Sequence, residues 1–155
     1  MRIFLYLILT IICTYGCGFK IVNQSEGQKF YISEIITSGD NKINFDLKNK
    51  LVDKNNDLNK RKIDLNIKST KNRKIKEKNS KNEITKYLIV INLLINISDE
   101  SQNTETINLT DEIDYNVSAQ SSQTNNAEKE AIKLLTNRLA NRLLRELSIL
   151  YNNDL

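Results

Sequence analysis

The 155-residue sequence contains no histidine, no proline and no tryptophan, only four glycines and only two cysteines. Each absence removes a class of function. Without histidine there is no near-neutral acid/base group, and the commonest metal ligand is missing. A Ser-His-Asp set and a Cys-His pair are both impossible. Four glycines leave no Gly-rich phosphate loop. Asp111, Glu112 and Asp114 sit in an alternating stretch and read as the polar side of a strand and a bend. No catalytic residue and no metal ligand is therefore assigned, and the expectation is a protein that is not an enzyme.

What is present begins at the N-terminus. Arg2 precedes an apolar run from Ile3 to Cys13, followed by Thr14, Tyr15 and Gly16. A basic start, about a dozen apolar residues and a small residue before the break describe a secretory signal peptide over residues 1–16. The run is short for a membrane span, which needs roughly twenty apolar residues. With Gly16 before the cut and Cys17 first in the mature chain, the junction resembles a bacterial lipobox. Thr14 and Tyr15 stand where that motif usually has Leu and a small residue. A signal peptide cut elsewhere and an uncleaved anchor are the alternatives. A lipobox reading implies a diacylglycerol on the Cys17 thiol and a further acyl chain on its amine. Two or more chains hold a protein durably on a membrane, at about 0.8 kcal/mol per buried methylene. No other cofactor is expected. Because Cys13 falls in the removed segment, Cys17 would be left alone and no intramolecular disulfide could form.

The rest suffices for one domain and is too short for two. Residues 17–28 are polar and suit a lipidated tether, leaving 29–151 as the domain. Lys29–Thr37 is rich in β-branched and aromatic residues and stops at Ser38-Gly39-Asp40, which predicts a first strand and a turn. Ile43, Leu47 and Leu51 recur every four residues, with Phe45 and Val52 widening the stripe. This predicts a helix over 41–52, capped by Asp40 or Asn41. A charged loop follows over 53–60.

Ile63, Leu65 and Ile67 alternate with polar residues, the period of a half-buried strand. The alternation fades into a basic run, and a turn is expected at 79–82. Tyr87–Ile97 is the most apolar stretch and predicts a central strand. After a turn at 99–103, Thr104–Val117 alternates again. A polar linker over 118–125 leads into a helix over 126–150, whose Ile132, Leu135, Leu139, Leu143, Leu147 and Leu150 step by three and four. Arg138, Arg142 and Arg145 form one exposed stripe opposite that face. The order β-α-β-β-β-α predicts an α+β two-layer sandwich, with a mostly antiparallel four-stranded sheet covered by two helices.

The strongest charge feature is Lys68, Lys71, Arg73, Lys74, Lys76, Lys78 and Lys81, opposed only by Glu77. Clustered Lys and Arg meet phosphate by charge-assisted hydrogen bonds. Lys71, Arg73, Lys74, Lys76 and Lys78 are the candidate ligand-binding residues. A solvated, Lys-rich edge that discourages strand-to-strand aggregation is the plain alternative. Nucleic acid is not the expected partner, since no aromatics that stacking modules need lie among these lysines.

In order and spacing the chain resembles the LptE family of lipopolysaccharide-assembly lipoproteins. The features that carry this are Cys17-Gly18-Phe19, the Ile32–Leu51 strand and helix through Ser38-Gly39, Thr85-Lys86-Tyr87, Tyr115-Asn116 and the Ala127–Leu150 helix. Lys20-Ile21-Val22 departs from it, because many members have a Pro-containing segment there. The resemblance implies a non-catalytic lipoprotein, lipid-anchored on the periplasmic face of the outer membrane. Its implied partners are an LptD-like outer-membrane β-barrel and lipopolysaccharide. Gly18, in place of Asp, implies the outer membrane by analogy. The alternative is a free-standing periplasmic lipoprotein, structural or ligand-binding.

Overall fold

The computed structural model describes residues 29–52, 60–101 and 103–152. Cys17, the expected signal peptide and tether, and most of the expected charged loop lie outside the described residues. Strand β1 (Phe30–Gly39) leads into helix α1 (Asn41–Leu51), and strands β2 (Arg61–Lys78), β3 (Ile84–Asp99) and β4 (Thr104–Asn116) precede helix α2 (Ser121–Asn152). The sheet order is β1-β2-β3-β4. β1 pairs with β2 in parallel through the α1 crossover, and the other two pairs are antiparallel. The expected α+β class, element order and mostly antiparallel four-stranded sheet are all present.

Alternation in the strands decides where the helices lie. Ile63, Leu65 and Ile67 of β2 and Ile89, Ile91, Leu93, Ile95 and Ile97 of β3 are fully buried, while the residues between them are partly or wholly exposed. Both helices therefore cover one face. They supply Ile43, Leu47 and Leu51 from α1 and Leu135, Leu139, Leu143 and Leu147 from α2. The other face is open and polar, with Thr106 donating to Asn96 at 3.0 Å and Thr110 to Asn92 at 2.8 Å.

Four local expectations change. Phe45 and Val52 are exposed and do not widen the α1 stripe, whereas Asn44 is buried. Helical period explains it: two residues on from Ile43 lies the opposite side of the helix. Helix α2 starts at Ser121, inside the expected linker. The Ser118 N–H donates to the Thr124 hydroxyl at 2.9 Å, and the Gln120 carbonyl accepts from Gln123 and Thr124. Polar residues there satisfy the first turn without contributing to an apolar stripe. The arginine stripe is not wholly free of the sheet either. Arg138 grips Asp111 of β4 through Nε at 2.8 Å and donates to the Glu112 carbonyl at 3.0 Å. No bend interrupts β4 at those acids.

Candidate functional site

The basic run, expected to fade from strand to loop, is the far half of β2. Its partner β1 ends at Gly39, opposite Ser69. Gly39 has φ +101°, and a Cβ there would lie 1.9 Å from the Ser69 carbonyl oxygen. Only glycine fits so close an approach in the left-handed region. From it the chain turns into α1, where the Asp40 carboxylate accepts from the Lys42 and Ile43 N–H groups at 3.1 Å. Buried Ser69 accepts from the Asp40 N–H at 3.0 Å and donates to Asn44 at 2.7 Å. That explains the buried asparagine. Beyond Ser69, β3 is the one strand among the described residues that pairs with β2, as far as Lys78.

Strand alternation then deals the basic residues to different places. Lys71 and Arg73 continue the parity of Ile67 and Ser69 and point to the helix side. Lys71 pairs with Asp40 at 3.2 Å and Arg73 with Glu128 of α2 at 3.0 Å. Lys76, at a bulge between Ile75 and Glu77, pairs across the open face with Asp114 of β4 at 3.1 Å. Lys78 donates to Asn82 in the β2–β3 turn at 2.9 Å. Lys74 is on the open face, and it makes no ion pair among the described residues; nor do Lys68 and Lys81 beside the run.

Around Arg73 lies a cluster that residue-by-residue reading missed. Its guanidinium sits over the Tyr87 ring at 4.7 Å, the Tyr87 and Tyr115 rings are 5.7 Å apart, and the Tyr115 hydroxyl donates to Glu128 at 2.9 Å. The β3–β4 register, Tyr87 opposite Tyr115, is the signal that would have brought them together. Burial and the Glu128 carboxylate raise the Tyr115 pKa against the opposing pull of Arg73. The Tyr115 hydroxyl and Glu128 in turn hold the Arg73 pKa above its ordinary value. The cluster fastens the start of α2 to the far half of the sheet.

Two carboxylates mark the closed half. Burial alone would raise Asp40, but the Ile43 N–H, Lys71 and the Lys42 N–H outweigh it and bring its pKa below the usual carboxylate range. Burial would likewise raise Asp99, and the Asn103 N–H, Arg61 and the Ser101 N–H bring it down. In the far half, Asp114 is lowered chiefly by its hydrogen bond from Lys76.

This surface presents cations and exposed strand backbone. Among the described residues no three His, Cys, Asp or Glu side chains gather as a metal site. No helix among them is long and apolar enough to cross a membrane.

No protein-family model matches the sequence, and no curated protein matches it significantly. Solved structures do share its fold. A rare lipoprotein B from Shewanella oneidensis aligns with TM-score 0.57 at 13% identity, over 78% of this chain and 98% of that one. A minor lipoprotein from Acinetobacter baumannii aligns with TM-score 0.56 at 20% identity, over 78% and 91%. An uncharacterized lipoprotein B from Nitrosomonas europaea gives 0.59 at 16% identity, over 88% and 94%. The chain is thus similar in fold to nearly the full length of three lipoproteins.

Proposed function

We propose that the chain is a non-catalytic lipoprotein of the outer membrane that partners an LptD-like β-barrel in lipopolysaccharide transport and assembly. The observation that carries this reading is the fold shared with lipoproteins, in a chain whose Cys17 follows a signal-peptide pattern. Cys17 carries the diacylglycerol and acyl chain, and the domain lies on the periplasmic face. The cations of β2 supply the contact, either to the phosphates of lipopolysaccharide or to an acidic patch of the barrel. Because Lys71, Arg73 and Lys76 already hold internal carboxylates, Lys74 and Lys78 carry most of this contact.

The test is a pull-down from detergent-solubilised outer membranes through a C-terminal tag, with co-eluting proteins identified by mass. One dominant β-barrel in near-equal amount is expected. Recovery of the lipidated protein alone would overturn the partnership and leave a free-standing lipoprotein. Lys74→Glu with Lys78→Glu keeps the three internal pairs and should lower lipopolysaccharide retention; unchanged retention would remove the basic residues from the reading.

A further inference from the structure

We infer that the free edge of β2, from Thr70 to Lys78, is a strand-addition site for an extended, acidic segment of a partner protein. This goes beyond the barrel partnership and does not depend on it. The inference rests on how differently the two edges of the sheet end.

β4 is one edge, and it is guarded. Arg138 donates to the outward Glu112 carbonyl and clamps Asp111, while Asp114 is held by Lys76 and Lys86. The other edge changes owner partway. β1 occupies it as far as Ser69, and the Gly39 turn then lifts the chain into α1. From Thr70 onward β2 remains a regular strand because β3 continues to pair with it. Alternate residues along an antiparallel strand turn their N–H and C=O groups away from the partner. Along this stretch those groups face no other strand among the described residues. An incoming strand would continue the line of β1.

Charge selects the occupant. Five cations and one acid lie between Thr70 and Lys78. Three of the cations hold Asp40, Glu128 and Asp114 and the acid is held by Lys86, which leaves Lys74 and Lys78 to meet an incoming acid. A second copy docking β2 against β2 would bring like charges opposite each other, which is unfavourable. A second copy offering β4 would have to release Arg138 first. The chain's own residues 1–28 hold a single acid, Glu26, beside Arg2 and Lys20, and do not supply an acidic strand. An acidic strand from another protein meets both the backbone and the charge.

The experiment uses the full chain in detergent, with amide hydrogen exchange followed by NMR. Three synthetic peptides match the length of the free edge: one alternates Glu and Val, one alternates Lys and Val, and one keeps the Glu residues with Pro in place of Val. At a Glu-Val concentration about ten times its Kd, outward amides between Thr70 and Lys78 should slow about tenfold. The Lys-Val peptide should leave them unchanged. The Pro peptide keeps the charge and loses half its backbone donors, so it should give no such protection. Equal effects of the Glu-Val and Pro peptides would mean simple anion binding and would overturn the proposal. So would equal effects of Glu-Val and Lys-Val. No protection by any peptide would leave the lysines as an edge guard. Protection that appears without peptide, rises with protein concentration and includes β4 would show self-association instead.

Discussion

From Arg61 to Ser69, β2 is paired on both sides and lies over both helices. From Thr70 to Lys78 it is paired, among the described residues, only with β3, and every residue is exposed. One strand therefore has two environments, and the boundary is set by where its neighbour ends, not by a change in its own conformation. The near half belongs to the core. The far half is held up by β3 and by single side-chain ties to Asp40, Glu128 and Asp114.

The most severe way to test that contrast is to remove a side chain from each half. Leu65→Ala, at a fully buried site, should cost about 2–5 kcal/mol in denaturant unfolding. Ile75 is 52% exposed, and Ile75→Ala should cost less than about 1 kcal/mol. Similar losses at both sites would mean that the far half is part of the core after all. At the boundary itself, Gly39→Ala should cost about 2–3 kcal/mol, since the new Cβ meets the Ser69 carbonyl at a left-handed position. Its amide exchange should speed up first in β1 and the start of α1, leaving β3 and β4 protected. Uniform acceleration across the sheet would contradict a local boundary.

The last prediction is the gentlest and concerns acid. Asp40 and Asp99 have folded-state pKa values below the unfolded value of 3.8. Their contribution is therefore complete above that value and is lost as pH falls through the depressed folded values. Stability should hold from neutral pH to about pH 5 and then decline. Asp99→Asn should give a shallower acid decline than the parent. An equally steep decline would remove Asp99 from the account.

How much of this was legible in the sequence follows the same division. Ile63, Leu65 and Ile67 announce a strand because a core lies under one face of it. Past Ser69 the alternation stops, yet the strand continues, because pairing with the apolar β3 needs only backbone groups. A reading from side-chain pattern has no access to that. The five candidate cations were legible as a cluster, but their division was not. Arg73 and Glu128 are 55 residues apart, and only the packing of α2 on the sheet brings them together. Phe45 misleads for a simpler reason: an apolar residue beside a stripe belongs to it only when its angle on the helix agrees, and two residues on from Ile43 it does not. The turns fared better: Asn79 and Asp99 each accept two backbone N–H groups at their turns, as asparagine and aspartate commonly do.

One feature of the topology bears on reach. The strand ends at Phe30, Arg61 and Asp99 gather at one pole with Tyr151, and the β2–β3 turn forms the other. Eighteen residues of β2 separate them, about 60 Å of strand contour. The start of the described domain, at Phe30, and its basic tip lie at opposite ends of that length. How far the tip stands from that pole is therefore set by strand length, independently of its charge. Shortening the far halves of β2 and β3 together by a matched pair of residues would move the tip and leave the packing around Phe30 and Tyr151 in place.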